Sequence, residues 1–303
     1  MKLIKISFFG LIVLFTACNS NTGCMDPNAE NYDPEAKKYG ECTYLIPTDT
    51  VTDPSQGVSF ELVFNGKAGS QDFYLNTVYK TLSGRNFSAT ELKYFVSNVK
   101  LANNGDDKIL IKDVELIDHD TSQSLNPAIP TWDNKANSVA AAIGTFNELI
   151  IGYGVDIELN EEFKPNQYDS DHPLNTTYTG MGWGWADKYK FMLFEGNVDS
   201  TQDGNVDRAF YYHTGLSDLY RLGVVRFDRA YTFKKGDVVT IYLTLDVPEM
   251  IGDLKIETSE EGRSHTNTAV LDSSRNVLTQ KEVSAIIQTN LSRNVTFNKI
   301  EIN

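Results

Sequence analysis

Short runs in which apolar and polar residues alternate dominate the chain from residue 57 onward. The clearest is VSFELVF at residues 58–64, where every second side chain is a large apolar one. Because successive side chains of a strand point to opposite faces of a sheet, this pattern predicts a strand with one buried face. Similar runs predict further strands at Leu92–Leu101, Ile109–Ile117, Asn147–Leu159, Tyr189–Glu195, Ala209–His213, Tyr220–Phe227, Val238–Val247 and Val295–Ile302.

Turn residues separate these runs, and helical periodicity is scarce. Asn103–Asp106 reads NNGD, and the KKGD sequence of Lys234–Asp237, directly before a strand run, is typical of a hairpin. One helical stretch, Lys281–Leu291, follows Thr279, which suits an N-cap. Many short strands with turns between them predict an all-β fold, an antiparallel β-sandwich with a short C-terminal helix and long loops.

The N-terminus has the layout of a lipoprotein signal peptide. Lys2 and Lys5 precede an apolar run over residues 6–15, and small residues and Cys18 follow. The run is too short for a spanning helix, which needs about 20 apolar residues. We predict a signal peptide at 1–17 and lipid on Cys18, which would tether the protein to a cell-envelope membrane, the outer membrane. The alternative is an ordinary signal peptide followed by a free cysteine.

The two remaining cysteines, Cys24 and Cys42, suit a disulfide in an oxidising compartment. The turn-rich stretch around them, with Asp-Pro at 26–27 and at 33–34, resembles a short disulfide module common in extracellular proteins of Bacteroidetes-type bacteria. We therefore predict a lipidated, disulfide-closed spacer at 18–47, a linker at 48–56 and one main domain at 57–303.

The net charge and the absence of known catalytic motifs exclude several classes of function. The formal net charge of −14 disfavours nucleic acid and anionic lipid as partners and favours cations. The sequence contains no nucleophile elbow, phosphate loop, dinucleotide fingerprint or HExxH motif. Paired acids such as Asp169 and Asp171 are a weak basis for a hydrolase, because no motif accompanies them. We expect a protein that is not an enzyme.

The stretch from Asp171 to Gly215 concentrates residues with binding chemistry. Its GMGWGW core places Trp183 and Trp185 on one face if the segment is a strand, between glycines that let a ligand approach. Packing between sheets and stacking on carbohydrate are two further roles open to these rings.

Three histidines outside apolar runs are candidate metal ligands. His172 lies in a turn, His213 ends a strand and His265 lies in a loop. Three imidazoles from separate loops suit copper or zinc if they converge, and the alternative for each is a lone surface histidine. His119, between two aspartates, is expected in a solvated turn.

A second cation candidate is an acidic run after the tryptophan segment. Asp199, Asp203 and Asp207 alternate with other polar residues, and Gly204 takes the sixth position, as in a calcium loop. Phe210 stands at the twelfth position, where such a loop carries glutamate, so a polar hairpin loop is the alternative.

An ordered set of motifs resembles MbnP-like domains, a family named for the copper-binding partner protein found with methanobactin systems. The motifs are Phe73–Tyr79, Phe87–Leu101, Phe146–Asp156, Asp171–Leu174, Met181–Gly196 and Tyr212–Gly215. The resemblance runs from about residue 57 to the C-terminus. It implies a β-rich domain with a copper role in the periplasm or at the cell surface.

In characterised members of that family, histidines and a tryptophan oxidised to kynurenine by a partner di-haem enzyme form the copper site. The resemblance places His172 and His213 at the copper site, with His265 as a further candidate and Trp183 or Trp185 beside them. The predicted function is that of a lipid-anchored, extracytoplasmic copper-binding protein with a di-haem peroxidase-like partner. The alternative is a calcium-stabilised surface adhesion or glycan-binding module.

Overall fold

The structure is a computed structural model that describes residues 22–24, 32–39, 50–51, 56–119, 131–133, 138–183, 188–258, 261–265 and 278–303. The chain divides into two compact units, Met1–Tyr44 and Leu45–Asn303.

In the first unit, two short strands, β1 (Thr22–Gly23) and β2 (Lys38–Tyr39), pair in parallel. Cys24 follows the first of them and is buried and disulfide-bonded. Cys42 and Cys18 lie outside the described residues, so the Cys24–Cys42 pairing and the lipid attachment stay predictions.

The second unit consists mainly of strands. They are β3 (Thr50–Val51), β4 (Ser59–Ala68), β5 (Gln71–Asp72), β6 (Tyr79–Lys80), β7 (Asn86–Asn103), β8 (Asp106–Asp118), β9 (Thr131–Asp133), β10 (Ser138–Val139), β11 (Gly144–Tyr153), β12 (Met192–Val198), β13 (Arg208–Thr214), β14 (Arg221–Phe233), β15 (Val238–Asp246), β16 (Arg263–His265) and β17 (Val295–Ile302). The helices are α1 (Ile157–Glu162), α2 (Thr176–Thr179), α3 (Val247–Ile251) and α4 (Gln280–Asn294), with 3-10 turns at Ala140–Ala142, Pro165–Gln167 and Ser217–Leu219. In the described part of the chain, no helix is long and apolar enough to cross a membrane.

The strands form two large sheets. The eight-stranded sheet has the order β14-β11-β7-β12-β13-β16, with β6 and β8 also paired to β7. The five-stranded sheet has the order β17-β15-β4-β5, with β9 also paired to β4. The pairs β13–β16 and β15–β4 are parallel, where the sequence predicted an antiparallel sandwich, so the sheets are mixed. Parallel partners need a long connection, which local periodicity does not reveal.

Apolar faces of the two sheets share one core, which confirms the all-β, sandwich-like prediction. Phe60 of β4 meets Phe233 of β14 with ring centroids 5.8 Å apart, and Phe64 of β4 meets Tyr94 of β7 at 6.4 Å. All four rings are 1% exposed or less. Burial of each such side chain contributes about 1.5–3 kcal/mol, so these contacts between the sheets stabilise the unit.

The turn at Lys234–Asp237 is not a hairpin, so that prediction is wrong. It joins β14 of the eight-stranded sheet to β15 of the five-stranded sheet. The Asp237 carboxylate accepts the backbone N–H of Lys234 at 2.7 Å and closes the turn locally. Turn chemistry reverses the chain, whereas the partners that bury the apolar faces decide which sheet the next strand joins.

The strand predicted over Asn147–Leu159 ends earlier, at Tyr153. Asp156 caps α1 by accepting the backbone N–H of Glu158 at 3.0 Å. Aspartate competes with strand pairing by bonding to nearby backbone donors, which explains the switch to a helix there.

His119 is buried with 0% exposure, so the solvated turn predicted for it is wrong. Its ring lies against that of Tyr94, with centroids 5.8 Å apart, and its backbone N–H bonds to Leu92 O. His119 follows the last residue of β8, and its backbone bond to β7 continues the strand pairing there. Its side chain therefore points into the core, although its sequence neighbours are acidic.

Helix α4 confirms the predicted C-terminal helix and its cap. The Thr279 hydroxyl accepts the Glu282 N–H while the Glu282 carboxylate accepts the Thr279 N–H, a capping box. Val283, Ile287 and Leu291, spaced by four residues, are 0% exposed and join the core. This face fixes α4 against the sheets.

Candidate metal site

Three of the predicted site residues, Trp183, His213 and His265, come together at one edge of the eight-stranded sheet. The two imidazole rings stack with centroids 4.6 Å apart and an interplanar angle of 15°. The Trp183 ring lies 6.2 Å from the His213 ring and 6.1 Å from the His265 ring. The cluster unites residues that are far apart in the chain.

Strand pairing places the two histidines side by side. β13 and β16 run parallel, and their register puts His213 directly opposite His265. Tyr211, two residues before His213, lies on the same face, with its ring 4.6 Å from the His265 ring and 5.6 Å from the His213 ring. Tyr211 therefore contacts both imidazole rings.

Helix α4 supports the short edge strand β16. The Ser264 hydroxyl is buried, donates to Gln280 O at 3.0 Å and contacts the Ser284 hydroxyl. The Gln280 side chain accepts the backbone N–H of His265 at 3.2 Å. The position of His265 therefore depends on a helix packed against the sheet as well as on strand pairing.

Trp183 forms the inner wall of the cluster. Its indole N–H donates to Tyr189 O at 3.2 Å, and an isolated bridge pairs Gly182 with Tyr189. A Cβ at Gly215 would lie 2.3 Å from Tyr189 O and 3.0 Å from the indole nitrogen, so this close approach requires glycine. The Trp183 side chain is 5% exposed, so its ring does not form an open platform for a sugar.

Trp185 lies outside the described residues, so its predicted place at the site stays a prediction.

Burial controls the protonation of the histidine pair. Burial lowers the pKa of His213 below its ordinary value, and the Glu195 carboxylate, 2.6 Å from Nε2, only partly offsets this effect. Burial, His213 and Lys190 lower the pKa of His265. Both rings are therefore neutral at neutral pH, the form that binds metal ions.

Lys190 places a positive charge near the cluster. Its Nζ donates to Gly180 O at 3.0 Å and lies 5.8 Å from the centroid of the Trp183 ring, within the range of a cation–π contact. Burial lowers the pKa of Lys190, against the opposing effects of Glu195 and Glu91.

The donor chemistry of the pair fits copper. Neutral imidazole nitrogen suits copper, zinc, iron and nickel. Within the described ranges, no group of three or more His, Cys, Asp or Glu side chains is arranged to hold a metal ion. The imidazole donors at this site are those of His213 and His265. Because imidazole lone pairs lie in the ring plane, one of the stacked rings must turn before both bind the same ion.

His172 lies elsewhere and does not join the pair. Its ring stacks on Tyr168 at 4.1 Å, and its Nδ1 accepts the backbone N–H of Leu174 at 3.1 Å. The surrounding cavity is lined by Lys112 and Glu115 of β8 together with Asp169 and Asp171. The structure thus brings together two of the three candidate histidines.

The acidic run uses its carboxylates within its own loop. Asp199 is 3% exposed and accepts four backbone N–H groups at 2.6–3.2 Å, from residues 201 to 204. Burial raises its pKa, but these bonds outweigh burial and the pKa is lowered. Asp203 accepts the Asn205 N–H, and Asp207 accepts the N–H and hydroxyl of Ser200. These bonds support the polar loop, and no observation supports calcium.

Sequence reasoning missed Glu195, Tyr211 and Lys190 at this site. Tyr211 carried a usable signal, because it stands two residues before His213 on a predicted strand. Glu195 carried none, because its contact with His213 depends on how β12 pairs with β13.

Comparisons with known proteins identify the family of this chain. A search of curated proteins finds no match. Among solved structures, MbnP from Methylosinus trichosporium is similar at 13% identity and a TM-score of 0.36, over 61% of this chain and 76% of that one. The family model of MbnP matches residues 57–269, well over half of the 303 residues, which confirms the resemblance drawn from the motifs. The chain belongs to the MbnP family.

Proposed function

We propose that this protein is a lipid-anchored, extracytoplasmic copper-binding protein and not a catalyst, with His213 and His265 as ligands and Trp183 beside them. The observation that carries this proposal is the stacked pair of partly buried, neutral imidazoles at 4.6 Å. Membership in the MbnP family, which is associated with copper handling, supports the choice of metal.

The surroundings of the pair suit metal capture without turnover. Trp183 and Tyr211 lie against the rings, and the net charge of −14 attracts cations to the protein. Copper would supply a coordination centre for the imidazole nitrogens, while the protein orients the rings and limits the access of water.

The proposal extends to a protein partner. A di-haem peroxidase-like enzyme would oxidise a tryptophan at the site, Trp183 or Trp185, as the family resemblance implies. The intact mass of protein isolated from its native cells would report this change, and an unmodified mass in copper-loaded protein would contradict it.

Metal analysis of the purified protein tests the copper proposal. After exposure to copper and desalting, we expect about one copper ion per chain. A His213→Ala, His265→Ala double variant should lose it, because both imidazole ligands are gone. His172→Ala is the matched control and should keep it, because His172 lies outside the pair.

Two outcomes would overturn the ligand assignment. Full copper retention by the double variant would remove His213 and His265 from the site. Loss of copper in His172→Ala would move the site to the His172 cavity. If instead the unmodified protein retains no copper, the proposed function itself fails.

A further inference from the structure

We propose that Glu195 is a positioning residue that fixes the ring tautomer of His213, so that His213 presents Nδ1 to the metal ion. This inference rests on the copper function proposed above and adds a residue to that site. It starts from one contact, in which Glu195 Oε1 lies 2.6 Å from His213 Nε2.

Strand register brings Glu195 to His213. In the antiparallel pair β12–β13, Glu195 lies opposite Tyr211, and His213 is two residues further along β13. Diagonal neighbours on one face of an antiparallel pair are within reach of long side chains. The contact is therefore built into the sheet and does not depend on a loop.

An irregularity in the pairing of β12 with β7 lies next to this carboxylate. The register between β12 and β7 shifts between Glu195 and Gly196. A Cβ at Gly196 would lie 2.2 Å from Ser88 O and 2.7 Å from Phe210 Cζ, so the backbone approaches β7 too closely for any side chain. Shifts of this kind re-aim a side chain and are conspicuous beside functional sites.

The chemistry of the bond decides the tautomer. A neutral imidazole carries one N–H, and an ionised carboxylate only accepts hydrogen bonds. His213 Nε2 therefore carries the proton and donates it to Glu195, which leaves the ring lone pair on Nδ1. A carboxylate on the second nitrogen is a common way to orient a metal-binding histidine and raise its basicity.

Exposure supports a lasting bond. The His213 side chain is 14% exposed and the Glu195 side chain is 38% exposed, so the donor ring is the more buried of the two groups. Water competes weakly for a bond whose donor is largely buried.

Nitrogen-15 NMR of the His213 ring tests the tautomer directly. In metal-free protein, long-range proton–nitrogen spectra should show a protonated Nε2 and an unprotonated Nδ1. On loading with copper(I), which is diamagnetic, the Nδ1 resonance should shift while Nε2 keeps its proton. Loss of the Nε2 proton on loading, or a protonated Nδ1 in the metal-free protein, would overturn the proposal.

Copper(I) affinity, measured by competition with a chromophoric chelator, tests the energetic role. Glu195→Ala should weaken binding about 10- to 100-fold, the usual range for loss of such orienting partners, and should give a mixture of ring tautomers. Glu195→Gln should lose less, because its amide oxygen still accepts the Nε2 proton.

Glu91→Ala is the matched control. Glu91 lies directly opposite Glu195 in the β7–β12 pairing and is 35% exposed, but its carboxylate pairs with Lys93 at 3.1 Å. The substitution removes the same charge from the same face without touching the Nε2 proton. We expect copper(I) affinity to change by less than about threefold, because a solvent-exposed charge that already pairs with a lysine contributes little.

The failures of the two proposals are distinguishable. If Glu195→Ala binds copper as tightly as the parent while His213→Ala does not, the positioning role is wrong and the copper site stands. Equal losses in Glu195→Ala and Glu91→Ala would replace positioning by a general charge effect and overturn the inference. If neither the parent nor the variants bind copper, the proposed function fails, while the tautomer spectrum of the metal-free protein still tests the Glu195 contact.

Discussion

At the scale of single residues, the stacking of the two histidines explains why both imidazole rings are neutral. Two protonated rings 4.6 Å apart would repel each other, and their burial adds the cost of removing charge from water. Glu195 compensates part of this cost at His213, whereas Lys190 adds to it at both rings. The net effect is to lower the pKa of both His213 and His265.

The lowered pKa values predict the pH dependence of copper binding. Because protons compete with the metal only when the rings titrate, affinity should stay constant from about pH 8 to about 6.5, the ordinary histidine value, and fall at lower pH. Folding follows the same sign, since the unfolded state takes up protons first as the pH falls below 6.5 and stability is lost there. Copper(I) competition titrations across this range are the measurement. A decline that begins well above 6.5 would mean that the pKa values are raised.

At the scale of elements, α4 links the core to the site. Its apolar face packs into the main core, while Gln280 and Ser284 hold β16 and Gln288 accepts the hydroxyl of Thr214 at the end of β13. One helix thus supports both strands that carry the histidines. A substitution that disturbs α4 packing should therefore shift His213 and His265, because these hydrogen bonds connect the helix to both strands.

Truncation within α4 should destabilise the fold. Ile287→Ala is expected to cost about 2–5 kcal/mol, the usual loss for a buried isoleucine, because the side chain is 0% exposed in the core. Ile286→Ala is the matched control on the same helix and should cost less, because Ile286 is only partly buried. Urea unfolding of both variants provides the comparison. Equal losses would mean that Ile287 is not the packing centre of the helix.

At the scale of the whole molecule, the proposed lipid anchor at the N-terminus would determine where the proposed copper-binding domain resides. The chain is acidic, which favours solubility of the domain, and a tether near a membrane would keep it in the envelope. The basic start, the apolar run and Cys18 are the sequence features that predict this tether.

Removal of the lipidated cysteine should release the protein. Cys18→Ser is expected to move it from the membrane fraction to the soluble fraction, because the acyl chains would be lost. Cys24→Ser keeps Cys18 and should stay with the membrane, which makes it a control for the loss of a cysteine. Detergent phase partition of cell fractions is the measurement. A soluble parent protein would contradict the anchor.

Local pattern predicted much of the fold and part of the site. The strand at Val295–Ile302 and the helix after Thr279 were predicted closely, because period and capping are properties of neighbouring residues. The hairpin at Lys234–Asp237 was wrong, because the choice of sheet depends on distant partners. His119 was wrong for a related reason, since its acidic neighbours said nothing of the core beside it.

By itself, the sequence determined the class of this protein: strands from alternation, one capped helix, and a family membership carried by ordered motifs. It also identified His213, His265 and Trp183 as candidates, because the residue type alone determines the chemistry of a side chain. Only the tertiary structure decided that these three meet while His172 lies apart, and that Glu195 reaches the ring of His213. The physical reason is that convergence depends on strand register and long-range burial, which are set by contacts between segments and leave no mark in local pattern.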